Sequence, residues 1–259
     1  MKRPDSSAIA RLVADPTQRN VLVLAACQAM GTSANSLMVA VATLAGYSLV
    51  EDKSLATLPI ALQWTATMCA TIPASQLMRR VGRRVGFSLG AISHIIGAAL
   101  GYHAIVAGNF VLLLLASLFV GAAVSFMQYY RFAAVDAVPE SFRSKAISLV
   151  LAGGVVAAII SGEIAKASYD WFLPHVFAGC YVAHAMLGLL TLITLQGLAI
   201  PKLNAQQRLS NGRPLTVIAR QPAFIVAVLA SALSFGAMIL VMTATPLAMV
   251  SGGFDFTDA

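Results

Sequence analysis

Residues 75–84 read SQLMRRVGRR, and they lie between two stretches, 54–78 and 85–107, that contain no Lys, Arg, Asp or Glu. Each stretch is long enough to cross the hydrocarbon core as a helix, which takes about 20 mostly apolar residues. Gly82 permits a tight reversal between two antiparallel helices. Arg79, Arg80, Arg83 and Arg84 hold that reversal at a membrane–water interface. The segment therefore reads as a transmembrane helical hairpin whose turn is fixed to one face.

Five further apolar runs extend the pattern on both sides, at about 20–46, 109–130, 146–165, 174–199 and 222–250, with Glu163 the one charge inside them. Transmembrane barrel strands would show about ten residues of alternating polarity, and these runs are continuous. Composition agrees. Of 259 residues, 59% are hydrophobic and 10% charged, and mean hydropathy is +0.82. A soluble domain carries about 25% charged residues. The chain is thus no soluble enzyme, disordered segment or disulfide scaffold. The expected fold class is all-α, a polytopic bundle of six transmembrane helices followed by a seventh.

The charges give the topology. Of the 17 basic residues, 15 fall in four segments that alternate with the apolar runs: Lys2, Arg3, Arg11 and Arg19; the four arginines of 79–84; Arg131, Arg143 and Lys145; and Lys202, Arg208, Arg213 and Arg220. The opposite face holds Lys53 and Lys166 against Glu51, Asp52, Glu163, Asp170, Asp255 and Asp258. The positive-inside rule puts the basic face and the amino terminus in the cytoplasm. The expected location is a bacterial inner membrane, with the first span acting as its own signal anchor. This asymmetry accounts for the net charge of +7 without a nucleic acid, and no basic face with interleaved aromatics exists outside these segments.

Cys27, Cys69 and Cys180 lie inside spans, at no metal-ligand spacing, and read as small packing residues. No cofactor or metal is expected. Residues 200–221 contain Pro201, Asn211-Gly212, Pro214 and four basic residues, the composition of a linker. The expected organisation is a six-helix bundle over 1–199, a cytoplasmic linker over 200–221, and the first helix of a second, incomplete bundle over 222–259. Spans 1 and 7 both start from a basic segment and share a central Gly followed by a Met and an Ala-Thr pair, a pattern suited to a parallel repeat. Gly86, Gly90, Gly97 and Gly101 in span 3, and Gly153-Gly154 in span 5, read as sites of close helix packing.

The 75–84 segment resembles the signature loop of the major facilitator superfamily, G-x-L-a-D-R-x-G-R-R between its second and third helices. Leu77, Arg80, Gly82, Arg83 and Arg84 match; Ser75 stands for the first Gly, and Arg79 for the acid. Residues 129–143, with Asp136, Pro139, Glu140 and Arg143, resemble the family's acid-x-x-Pro…Arg connection between helices 4 and 5. The resemblance implies a cytoplasmic conformational lock at Arg80, Gly82, Arg83, Arg84, Asp136 and Arg143, with an ion network between the two loops. Glu163 stands where drug–proton antiporters of the family show the Pro of a Gly-Pro pair. Against the family's twelve helices the chain stops about five short, so a fragment, or a chain that pairs with a copy of itself, is expected.

The resemblance also implies a solute site near the bilayer midplane, lined by helices 1, 4 and 7. Polar side chains within spans should face protein or water. Gln28, Thr32, Asn35 and Ser36 share one stripe of span 1. With Gln63 and Trp64 of span 2, and Gln128 and Tyr129 of span 4, they form the expected solute lining, the two aromatic residues suiting a ring. No carboxylate lies at mid-span, which favours a neutral or aromatic solute. Arg131 is read as snorkelling, Glu163 and Lys166 as an interfacial ion pair, and His94 and His184 as packing residues able to titrate near neutral pH.

The expected function is alternating-access secondary transport of a small organic solute across the lipid bilayer, driven by an ion or proton gradient. The alternatives are a truncated chain that does not transport, or a multidrug or metabolite efflux pump. Similarity to proteobacterial carriers of small organic metabolites implies uptake as readily as efflux. A retinal pump would need a Lys in the last span, and none is there; no H-E-x-x-H, nucleophile elbow or paired intramembrane carboxylates point to an enzyme.

Overall fold

The structure is a computed structural model that describes residues 16–200 and 215–252. Residues 201–214 of the expected linker, and Lys2, Arg3, Arg11, Asp255 and Asp258, lie outside them. Among the described residues every regular element is helical. The chain divides into two units, Met1–Lys202 and Leu203–Ala259.

The first unit contains α1 (Pro16–Leu49), α2 (Leu58–Val81), α3 (Arg83–Val106), α4 (Phe110–Met127), a short α5 (Tyr130–Asp136), α6 (Arg143–Ser168) and α7 (Ala178–Leu195). The second contains α8 (Leu215–Ala219) and α9 (Pro222–Ser251). Seven helices, or helix pairs, are long and apolar enough to cross a membrane. In lipid a helix satisfies its own backbone, so each apolar run has one stable form.

Two boundaries differ from those read in the sequence. Span 4 does not end near residue 130: after a two-residue turn at Gln128 and Tyr129 the chain resumes as α5, and the apolar stretch continues to Asp136. Span 6 begins at Ala178 rather than 174, because residues 169–177 form turns closed by Phe177 at φ 74°. Pro174 contributes, since its ring disfavours helical backbone at the preceding residue.

Neighbours pack in the order α2–α4–α3–α7–α1–α6. Glycines set the closest approaches. A Cβ at Gly121 would run into the Gln63 carbonyl, so α2 and α4 touch backbone to backbone. A Cβ at Gly153 would meet the Ala25 carbonyl at 2.6 Å and the Ala29 nitrogen at 3.0 Å, which draws α6 onto α1. Gly82 joins α2 to α3 at φ 93°, a conformation that side chains other than glycine's rarely take. At the basic face Asn20 donates to the Ala199 carbonyl (3.1 Å) and accepts from its N–H (2.9 Å), tying the start of α1 to the chain beyond α7. At the opposite face the Ser54 hydroxyl and N–H hold the Asp52 carboxyl below its usual range.

The expected Glu163–Lys166 pair does not form. Both residues are exposed, and the two ion pairs among the described residues lie elsewhere. A surface pair three residues apart gains too little to hold two long side chains in one geometry.

Gly153 and Gly154 separate packing from propensity. Gly154 has open space around its Cβ position. Gly153→Ala is expected to lower thermal stability by about 1–3 kcal/mol, the usual effect of overpacking, and Gly154→Ala to leave it unchanged or raised. Unfolding midpoints of the two variants in the same detergent check this.

Candidate functional site

The mid-span polar residues fall into two groups. The first joins α1 to α2. Gln63 is 1% exposed, and its Nε2 donates to Asn35 Oδ1 at 2.9 Å. Its position is fixed from behind: the Thr67 hydroxyl lies 2.9 Å from both the Gln63 and the Gly121 carbonyls, so one side chain ties α2 to itself and to α4. Trp64 packs against Val39, Ala42 and Ile60 beside this amide pair. An amide in an apolar interior is costly unless bonded, and here the Gln63 amide nitrogen is paired with the Asn35 amide oxygen.

The second group lies about two helical turns, roughly 11 Å, nearer the basic face. Gln28 Nε2 donates to Thr32 Oγ1 at 2.9 Å along α1. Gly31, on the same stretch, admits the Met127 side chain at the end of α4. The turn that follows holds Gln128 and Tyr129, both half-buried. The Tyr129 hydroxyl donates to the Thr71 carbonyl of α2 at 3.0 Å, and its ring lies 6.1 Å from that of Phe132. Gln128 and Tyr129 thus sit at a helix break below mid-span, with the Tyr129 hydroxyl occupied by backbone. Gln63 and Asn35 are joined across helices, and Gln28 and Thr32 along α1.

At the basic face Arg83 pairs with Asp136 and so links the α2–α3 turn to the end of α5. Arg84 donates to Gln196 Oε1 at 2.9 Å, and Gln196 Nε2 lies 3.4 Å from Ser88 Oγ. Arg143 and Glu140 approach to 3.9 Å on the surface. Arg80 is exposed, and Arg131 lies 5.1 Å over the Phe132 ring at the interface. The Arg83–Asp136 pair between the two loops is partly exposed, a class typically worth about 0–1 kcal/mol, and the Arg84–Gln196 bond ties the same turn to the end of α7. Arg143 belongs to a separate local pair.

The structure also joins two residues that the sequence left apart. His94 on α3 and His184 on α7 stack edge to face, with ring centroids 4.0 Å apart. His184 is 0% exposed and His94 7%. His184 Nδ1 lies 3.1 Å from the Ala34 carbonyl of α1; a carbonyl can only accept, so Nδ1 carries the proton. Neither Nε2 has a hydrogen-bond partner. Ninety residues separate the two along the chain, and the available signal was the small residue Gly188, whose Cβ position faces Ile95 and His94. Cys27 and Cys180 are buried packing residues near Thr191 and Ser168, and Cys69 is exposed.

Comparison with known proteins places this architecture. The model of the Major Facilitator Superfamily matches residues 21–259. Over 251 residues the chain is 38% identical to the riboflavin transporter RfnT of Brucella anthropi, an alignment that covers 95% of this chain and 62% of the relative. The chain thus spans less than two thirds of the length of that relative. A family match running through all seven apolar helices, on top of the Leu77, Arg80, Gly82, Arg83 and Arg84 turn between α2 and α3, makes the chain a multi-pass membrane protein that belongs to the major facilitator superfamily.

Proposed function

We propose that the chain is part or all of a secondary transporter that moves riboflavin, or a close flavin relative, across a bacterial plasma membrane by alternating access, driven by the proton gradient. The observation that carries this reading is the pair of polar layers, Asn35 with Gln63 and Trp64, and Gln28 with Thr32, among described helices whose mid-spans carry no charge. A flavin ring is flat, aromatic and uncharged near neutral pH, and its edge combines imide donor and acceptor groups with carbonyls. Amides satisfy both kinds of group, an indole supplies a stacking face, and a neutral lining avoids an uncompensated buried charge. That the 38% identical relative is a riboflavin transporter supports the same class of solute.

In this reading the Asn35–Gln63 bond is exchanged for bonds to the solute when it enters, so the lining stays satisfied in both states. The linker 200–221 joins the first bundle to a second that begins with α9. The basic face is cytoplasmic, and the Arg83–Asp136 pair steadies that face while the solute site is open on the other side.

Riboflavin uptake into vesicles tests the assignment. Asn35→Ala is expected to raise KM about tenfold or more, because one lost bond to a buried polar group is typically worth 1–3 kcal/mol. Gln28→Ala is expected to act in the same direction, whereas Thr65→Ala, on an exposed face of α2, leaves uptake unchanged. Unaltered uptake in both Asn35→Ala and Gln28→Ala overturns the site.

Cysteine labelling tests the orientation. In a Cys69→Ser background, a cysteine at Ser54 is expected to react with an impermeant maleimide in intact cells. A cysteine at Ser144 is expected to react only after the membrane is opened.

A further inference from the structure

We infer that His94 and His184 form a proton-binding site that couples the proton gradient to movement of α1; this rests on the transport reading above. Three geometric facts carry the inference. The imidazoles are in contact across α3 and α7, their centroids 4.0 Å apart in the bundle interior. The Ala34 carbonyl fixes the proton of neutral His184 on Nδ1, which leaves a lone pair on its Nε2 with no partner. A cavity of ≈ 10 Å³ lies beside His94, lined by Gly31, Gly90, Met127, Tyr130 and Thr191. That is about the volume needed to seat one water, and the polar residues of its lining are His94, Tyr130 and Thr191.

Among the described residues no counter-ion is buried beside the pair. Beyond Arg19, α1 has no charged residue; beyond Arg84, neither does α3; α4 and α7 have none. The charged residues of α2 (Arg79, Arg80), α5 (Arg131, Asp136) and α6 (Arg143, Lys145, Glu163, Lys166) are exposed. Tyr130 of α5 lines the cavity beside His94, and the other buried titratable groups of the packed helices are Cys27 at Thr191, Cys180 at Ser168 and Tyr181 at Gly101; all are uncharged in their ordinary forms at neutral pH.

The step is a plain proton transfer. A proton from water on one side of the membrane joins the lone pair at His184 Nε2, and the pair gains one positive charge. Release to the other side restores the neutral Nδ1–H form. A single charge between packed helices without a carboxylate favours a conformation in which water reaches it. The separation loads α1 through the bond to Ala34, and the next residue on α1 is Asn35, whose amide meets Gln63. Proton binding and solute binding thus act on adjacent residues of one helix.

The test uses the full chain reconstituted in liposomes with riboflavin as solute, and it separates chemistry from packing. His184→Asn keeps an N–H donor for the Ala34 carbonyl and cannot titrate; His94→Gln keeps a polar nitrogen near the Nε2 position. Both variants are expected to retain riboflavin counterflow at equal pH. Both are expected to lose accumulation driven by a pH gradient by about tenfold or more. Accumulation equal to the parent's in either variant overturns the inference, as does a parent that exchanges riboflavin but ignores the pH gradient. A parent with no riboflavin counterflow overturns the flavin reading instead. The pair is then decided by ¹⁵N imidazole signals of the parent in nanodiscs: coupled titration of the two rings across the pH range over which the protein stays folded, with one ring displaced by His184→Asn, sustains it. Signals that stay neutral throughout overturn it.

Discussion

Much of the bundle's interior depends on the contact at Gly121. Lipid supplies no hydrophobic force between helices, so association rests on close packing and on hydrogen bonds that helices share. At Gly121 the backbones of α2 and α4 meet, and the Thr67 hydroxyl sits between the Gln63 and Gly121 carbonyls. That contact sets the depth and rotation of α2. Gln63 then projects toward α1 at the height of Asn35, and the two amides close on each other. A β-carbon at residue 121 would push α2 away and leave two amides in an apolar interior without partners. The polar pair at the centre of the bundle is therefore a consequence of a missing side chain on a third helix.

The sequence made the helices legible because membrane spans obey a length rule and a charge rule at once. The apolar run, the arginine-rich turn at 79–84 and the alternation of basic segments each imply the same hairpins, and the observed helices follow them. The Gln28–Thr32 spacing was also legible, since residues four apart share a helix face. Contacts between helices were not. Nothing local to His94 names His184 as its neighbour, and nothing near Gln63 names Gly121. Such pairings depend on helix rotation, which small residues set and which a periodicity with weak amphipathic contrast does not encode. The break at Gln128 and Tyr129 was hidden for a related reason: the sequence around it remains compatible with helix, and the turn is read only from the resumption of α5.

Charge is distributed to match this division of labour. The described arginines of the first unit lie at one face, where water and lipid headgroups solvate them, and its interior is held by amides, hydroxyls and imidazoles. Neutral polar groups can exchange partners at little net cost, because each broken bond is replaced by another of similar strength. A buried ion pair could not be exchanged so readily, since separating it leaves two uncompensated charges. An interior built this way can rearrange its hydrogen bonds without a large electrostatic barrier.

The same logic assigns different tasks to the two polar layers of α1. Gln28 and Thr32 bond along their own helix, so a shift of α1 relative to α2 leaves that bond intact. Ala34 and Asn35 bond across helices, to α7 and α2 respectively, so the same shift strains or breaks both. Movement of α1 is therefore registered at residues 34 and 35 and not at 28 and 32. A ligand that alters either cross-helix bond alters the other through one rigid turn of helix. The layer at residues 34 and 35 is the one placed to link events on opposite sides of that helix, and the layer at 28 and 32 is not.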